Sequence, residues 1–367
     1  MTNVMHLITT IDRGGAEKQL LILAREQIKS KKITITPLKG SNELSEDFQE
    51  LGCKIDNSLL NLHPLRQVYK LWKKNNSQSF IIHAHLPRAE LIGALCKRRN
   101  KLVISKHVTE TLLGPNSPKM ISRICSLYVT SRASHFVAIS NAVLAFIRKN
   151  DELYRRTPSS VIHYGYDIRA SLAGKSLTDN KSKNFSNCES DLVLGTIARL
   201  VPQKDIVTLL RVFSALKEKF PKAILKILGR GYLEHELKLF AKSLGLQDGS
   251  VEWINHEPNV YEFLETIDLF IITSKYEGFG LVVLEAMQSN IPIVASRISP
   301  FEEILGSDFS TLCNVGEMNE FLDAVLYLAS PTMRQEILNV QNVRLELFSP
   351  ELMNEKMNTV YESISSN

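Results

Sequence analysis

The sequence predicts an α/β protein made of two doubly wound domains, each a parallel sheet with helices on its faces. Three observations carry this. The chain has 367 residues, more than the roughly 250 to 300 at which a single hydrophobic core stops growing. Short apolar runs alternate with helix-period segments along its length, as repeated βα units require. The stretch 171–191 is rich in Ser, Lys, Asn and Asp and nearly free of large apolar residues, so it reads as a polar loop between two such series.

In the first series, apolar runs place strands at 4–9, 33–37, 80–84, 102–105, 135–139 and 160–163. Helical periodicity is clearest at 17–30, 65–74, 89–99 and 141–149. A first domain over 1–168, a linker over 169–190 and a second domain over 191–348 follow. The second series has strands at 192–197, 223–228, 251–254, 269–273 and 293–295. Its helices are expected at 205–219, 233–243, 260–266, 280–288, 301–305, 318–329 and 332–342. A last helix, about 349–364, opens on Ser349-Pro350 and repeats apolar residues at Leu352, Met353, Met357, Val360 and Tyr361; it suits either domain.

Composition narrows the classes. With 44% apolar and 23% charged residues, the chain is not wholly disordered, collagenous or coiled-coil. Cys53, Cys96, Cys125, Cys188 and Cys313 are odd in number, scattered and without a C-x-x-C pair, so reduced, mostly buried thiols are expected rather than a disulfide framework or a zinc site. Asp12, Arg13 and Glu17 occupy the region where a signal peptide needs its apolar stretch, and no run reaches about 18 apolar residues, so a cytoplasmic protein that crosses no membrane is expected. The net charge of +5 hides a division: 1–168 holds 25 basic against 13 acidic residues, net +12, and 169–367 holds 19 against 26, net −7. Only the first half is suited to a polyanion or an anionic membrane surface.

Open parallel sheets bind ligands at the carboxyl ends of their strands, which places the site in a cleft between the two domains. The most informative segment is Ser274 to Met287. A strand ends in the loop Glu277-Gly278-Phe279-Gly280, which opens a helix at Leu281, so free amides and the positive helix end favour a phosphate there. Glu277 and Glu285 lie eight residues apart, an offset of about 80° at about 100° per residue, so both can reach one ligand and accept from sugar hydroxyls. A solvated helix glutamate and a carboxylate at the positive helix end are the plain alternative, but the apolar neighbours of Glu285 call for a partner. Arg199 and Lys204 stand five residues apart in a strand-to-helix loop and suit a diphosphate. Gly229 and Gly231 follow another strand, where a structural turn is the equal alternative; Glu234 stands where a dinucleotide fingerprint has its third glycine, which argues against that site.

In the first domain, Gly14 and Gly15 let the backbone approach a ligand at a helix start. His83 and His85 share a strand face, and packing near the sheet edge is preferred to metal binding because no third ligand is evident. His107 follows a strand and is placed to donate to a substrate.

Taken together, these residues resemble the retaining glycosyltransferases of the GT-B fold, family 4, also called glycosyl transferases group 1. The resemblance covers nearly the whole chain and is strongest in Glu277-Gly278-Phe279-Gly280 through Glu285-Ala286-Met287, the E-x7-E signature. Gly14-Gly15, Arg199 with Lys204, Gly229-x-Gly231, the segment from Ile162 to Asp167 and the closing Phe348-Ser349-Pro350 with its helix support it. The resemblance implies a first domain that takes the acceptor and a second that binds a nucleoside-diphosphate sugar, UDP expected. It implies that Arg199 and Lys204 stabilise the leaving diphosphate, aided by the amides of Gly14, Gly15 and the helix start near Gly280. Glu277 and His107 would contact the sugar and Glu285 the ribose, with Gly229, Gly231, Gly278, Phe279 and Leu281 lining the donor. No metal and no separate cofactor is implied, since a D-x-D motif is absent. Retention by attack from the leaving-group side, a lipid-linked or cell-surface polysaccharide acceptor, and peripheral contact with the inner face of the cytoplasmic membrane complete the expectation. Nucleic acid is not expected as a partner.

Departures from the family pattern are Ala198 before Arg199, Asp205 after Lys204, and Ile298-Ser299-Pro300 where a Gly-Gly pair is common. The last alters a loop that often touches the donor sugar. An epimerase or hydrolase of nucleotide sugars on the same fold, and a non-catalytic sugar-nucleotide binder, are the competing readings. Acceptor-independent nucleotide release marks the hydrolase. Absence of turnover marks the binder.

Overall fold

The alternating apolar runs fold as two separate all-parallel sheets. A computed structural model describes residues 3–77, 80–97, 100–108, 112–114, 117–149, 156–166, 192–246, 249–255 and 259–366. The expected linker, Asp167, Arg98, Arg99 and Cys188 lie outside them. Internal contacts divide the chain into one unit of Met1–Gly165 with Phe348–Asn367 and a second of Tyr166–Leu347.

In the first unit, β1 (Asn3–Ile8), β2 (Lys32–Pro37), β3 (Lys54–Ile55), β4 (Ile81–His85), β5 (Leu102–Lys106), β6 (His135–Ala138) and β7 (Ser159–Val161) pair in the order β3-β2-β1-β4-β5-β6-β7. The helices are α1 (Gly15–Gln27), α2 (Ser45–Glu50), α3 (Pro64–Ser77), α4 (Pro87–Cys96), α5 (Lys119–Arg132) and α6 (Asn141–Lys149). β4 and β5 are buried at every position, as strands covered on both faces must be. Because β4 sits between β1 and β5, His83 and His85 lie in the middle of the sheet and not near its edge.

The second unit contains β8 (Val193–Ile197), α7 (Ile206–Lys219), β9 (Ile224–Leu228), α8 (Glu234–Ser243), β10 (Val251–Ile254), α9 (Val260–Leu264) and β11 (Leu269–Ile272). It continues with α10 (Leu281–Gln288), β12 (Ile293–Ser296), α11 (Ser299–Leu305), β13 (Leu312–Cys313), α12 (Met318–Tyr327) and α13 (Pro331–Leu345). Its strand order is β10-β9-β8-β11-β12-β13. In each sheet the order reverses once, between β1 and β4 and between β8 and β11. Loops leaving these strands on either side of a reversal diverge and open a crevice, the preferred ligand position of such sheets.

The chain then closes with α14 (Pro350–Ser365), started by Ser349, whose Oγ accepts from Leu352 N at 3.2 Å. Met353, Met357, Val360, Tyr361 and Ile364 recur at helical spacing and join Val4, Leu20, Leu23 and Ile35 in one buried cluster. The last helix is thus part of the first unit's core.

Candidate functional site

In the second unit the loops after β8 and β11 flank the reversal. The chain leaving β8 continues beside β9: Ala198 N donates to Leu228 O and Leu200 N to Arg230 O, each at 2.9 Å. Gly229 and Gly231 permit this. A Cβ on Gly229, whose φ is +148°, would lie 1.9 Å from Ala198 O, and one on Gly231 would lie 2.1 Å from Leu200 O. The close approach these glycines serve is backbone on backbone, and it fixes the loop that carries the exposed Arg199.

A 3₁₀ turn at Pro202–Lys204 comes next and is stitched to the end of β11. Thr273 Oγ1 lies 3.1 Å from Lys204 O and 3.0 Å from Asp205 O, and Lys275 N donates to Gln203 O at 2.8 Å. Lys204 Nζ therefore meets Glu277 and donates to Oε1, which also accepts from Ser274 Oγ at 2.8 Å. The two charged side chains are 12% and 10% exposed, so each needs the other. The sequence reading gave Lys204 to a diphosphate and Glu277 to a sugar; the structure joins them in one ion pair.

Beyond Glu277, Phe279 is buried and Gly280 starts α10 with φ +107°; a Cβ there would lie 2.5 Å from Phe301 Cε1. Gly278, Leu281 and Glu285 are half-buried. The apolar surroundings expected to bury Glu285 are thus incomplete, because Leu281 and Val282 are themselves partly open.

In the first unit, Gly14 precedes α1, and a Cβ on it would lie 2.3 Å from Glu17 Oε2. Glu17 is buried, with Oε1 accepting from Thr10 Oγ1 at 2.7 Å. The start of α1 thus already has a carboxylate of the chain beside it, with Gly15 exposed. Asp12 ties this loop down by accepting from Ser41 N, Ser41 Oγ and Asn42 N at 3.0, 2.9 and 3.1 Å.

His107 stands at the end of a chain of hydrogen bonds. Its Nδ1 bonds Tyr164 OH and its Nε2 lies 3.0 Å from His85 Nδ1; His85 Nε2 lies 3.0 Å from His6 Nδ1, and His6 Nε2 lies 2.7 Å from Gln27 Oε1. Gln27 Nε2 donates to Tyr361 OH at 3.2 Å, and Tyr361 OH and Ser105 Oγ each lie 2.7 Å from a ring nitrogen of His83. Burial holds His6 down to about 4 and His107 down to about 3, Lys106 adding to the latter. Burial, then neighbouring imidazoles, hold His83 and His85 well below the ordinary range. Four neutral imidazoles result. With the amide of Gln27 turned so that its oxygen faces His6, the direction along this line is set: His6, His85 and His107 each donate from Nε2 and accept at Nδ1, and Tyr164 donates to His107.

His6 supplies the third imidazole that sequence reading missed. Ligand atoms of His6, His83 and His85 lie within 4.8 Å of one another, and neutral imidazoles are metal ligands, but every ring nitrogen of the three already has a hydrogen-bond partner. A cation would have to displace these bonds. The available signal was His6 inside the apolar run of β1, a polar residue that needs a buried partner.

Two domain models match the chain: Glycosyltransferase Family 4 over residues 13–170 and Glycosyl transferases group 1 over residues 178–338. Among similar proteins, the UDP-Gal:alpha-D-GlcNAc-diphosphoundecaprenol alpha-1,3-galactosyltransferase of Escherichia coli is 23% identical over 79% of this chain and 78% of its own. The putative glycosyltransferase EpsF of Bacillus subtilis is 25% identical over 80% and 78%. Among solved structures, Anabaena Alr3699/HepE in complex with UDP superposes with a TM-score of 0.79 at 20% identity, covering 99% of this chain and 100% of that one. The two sheets and these likenesses establish a GT-B fold of two Rossmann-like units. Domain models and relatives together support a group 1 glycosyltransferase, a transferase enzyme.

Proposed function

We propose that the chain transfers a sugar, with retention of anomeric configuration, from a UDP sugar to a lipid-linked or cell-surface polysaccharide acceptor. The observation that carries this reading is the Lys204–Glu277 pair, held between two loops at the strand-order reversal of the second sheet. On donor binding, the diphosphate takes the charge of Lys204 and the neighbouring Arg199, while the amides at the start of α10 face the same anion. Glu277, released from part of its bond to Lys204, accepts from sugar hydroxyls. Cations aimed at the departing UDP stabilise the charge that grows as the glycosidic bond breaks, a term large enough to dominate such a reaction.

In the first unit, His107 is assigned to a sugar hydroxyl near the reacting carbon. Its exchangeable partner is Tyr164, while His85 holds the other nitrogen. Gly14 and Gly15 offer backbone to the donor's phosphates, and Glu285 receives the ribose. The lipid-diphosphate-linked saccharide in the name of the Escherichia coli relative supports a lipid-linked acceptor. The basic first unit supports a peripheral position on the inner, anionic membrane face.

Nucleotide release measured across UDP, GDP and ADP sugars, with and without acceptor, tests the reading. Acceptor-stimulated release from a UDP sugar is expected, with the product's anomeric configuration read by NMR. Lys204→Ala should lower turnover at least about a hundredfold at a temperature below the thermal midpoint of the second unit, where that unit is still folded. Undiminished turnover would remove the diphosphate role from Lys204, and release independent of acceptor would make the protein a hydrolase.

A further inference from the structure

An amphipathic helix normally turns its apolar stripe inward. α5 does the opposite. Its buried residues are Ser122, Ser126, Val129 and Thr130, while Met120 is 72% exposed, Ile124 59% and Tyr128 42%. These three recur every four residues and form one outward stripe, with Lys119 and Arg123 exposed beside them. On α3, Leu65, Tyr69 and Trp72 are 74%, 63% and 39% exposed at the same kind of spacing, flanked by the exposed Arg66, Lys70 and Lys73. α4 packs against both helices, and its Leu95 is exposed too.

Carboxylates are missing from the outside of this layer. Across α3, α4 and α5 the sequence holds a single acidic residue, Glu90, which is 3% exposed and faces Lys106 Nζ at 3.6 Å. Every outward charge on the three helices is positive. Solubility alone would favour mixed charges and would not place Trp72, Tyr69 and Tyr128 outside.

We propose that the outer face of α3, α4 and α5 is a docking surface for an anionic lipid bilayer. Apolar side chains enter the acyl boundary, tyrosine and tryptophan sit at headgroup level, and lysine and arginine meet lipid phosphates. A second copy of this chain is disfavoured because two such faces repel. A nucleic acid would engage the cations and leave the aliphatic stripe unused. The inference rests on the membrane-peripheral reading above and gives it a place on the first unit. The run from Lys97 to Lys101 is less suited, since Lys97 is half-buried and donates to Ser134 Oγ at 3.2 Å.

The test is sedimentation of the full chain with vesicles of phosphatidylcholine, with and without phosphatidylglycerol, at low and raised salt. The wild type should bind only the phosphatidylglycerol vesicles and be partly released by salt. Combined Met120→Ser, Ile124→Ser and Tyr128→Ser should weaken partitioning at least tenfold. Arg66→Gln, Lys70→Gln and Lys73→Gln should remove the salt dependence. Leu65→Ser with Tyr69→Ser provides an independent apolar variant should the α5 variant fail to fold. Wild-type binding equal on the two vesicle types, or apolar variants binding as the wild type does, would overturn the proposal. Self-association lost in the serine variants would also overturn it, by assigning the face to a second copy. Nucleotide release without vesicles, measured in parallel, should be the same in all variants. Release absent throughout with vesicle binding intact would sink the transferase reading and leave the docking face standing.

Discussion

Gly229 illustrates how a ligand-like motif is first a packing device. Its backbone stands where a side chain would penetrate Ala198 O, and its φ of +148° is unfavourable for an L residue. Gly229→Ala should therefore destabilise the second unit by about 3 kcal/mol, lowering its thermal midpoint by roughly 6 to 12 °C for a unit of this size. Calorimetry checks it, and an unchanged midpoint would mean that the Arg199 loop yields freely. Donor affinity should fall with it, since that loop carries Arg199. Residue types at the strand ends were readable from spacing: Lys204 stands in one of the two loops that the strand-order reversal separates, and Glu277, Gly278 and Gly280 stand in the other. Their mutual geometry was not. An ion pair between residues 73 positions apart depends on how Thr273 and Lys275 stitch one loop to the other, and no local pattern encodes that.

Among the elements, the histidine chain links α1, β1, β4, β5 and α14 in one hydrogen-bonded line. An unfolded imidazole takes up a proton near pH 6.5, whereas His6 in the fold does so only near 4. Between these values the unfolded chain binds more protons, so acid favours it. Stability of the first unit should be full above about pH 7 and fall through the interval from 6.5 to 4, with His6 alone contributing on the order of 3 kcal/mol. Urea midpoints at pH 7.5 and 5 measure this, and a slope unaltered by His6→Asn would contradict it. Most elements could be read from periodicity, and the exceptions have physical causes. β3 and β13 are two residues each, too short to show alternation. α2 has a single buried residue, Phe48. α5 escaped because its stripe is reversed, and a helix that shows apolar residues to the outside gives no inward pattern to match.

Taken over the chain, the charge division survives its reassignment to contact-defined units. Met1–Gly165 with Phe348–Asn367 holds 26 basic and 15 acidic residues, and Tyr166–Leu347 holds 18 and 24. Moving α14 to the first unit changes the contrast little and its energetics greatly. Met353, Met357, Val360, Tyr361 and Ile364 are at most 6% exposed. At about 1.5 to 3 kcal/mol each, their removal exceeds or matches the whole stability of an ordinary domain. A chain ending at Leu347 should leave the first unit unfolded, seen as rapid proteolysis there, with protection restored by a peptide of residues 348–367; a stable truncated form would show that α14 is dispensable. The same helix sets an order of events during synthesis. At about 5 to 20 residues per second, the segment that completes the first unit emerges on the order of ten to forty seconds after that unit's own strands. Of the two units, the one whose strands emerge earlier is thus the later to finish folding, and until then its sheet waits with an uncovered apolar face that a nascent-chain chaperone would recognise.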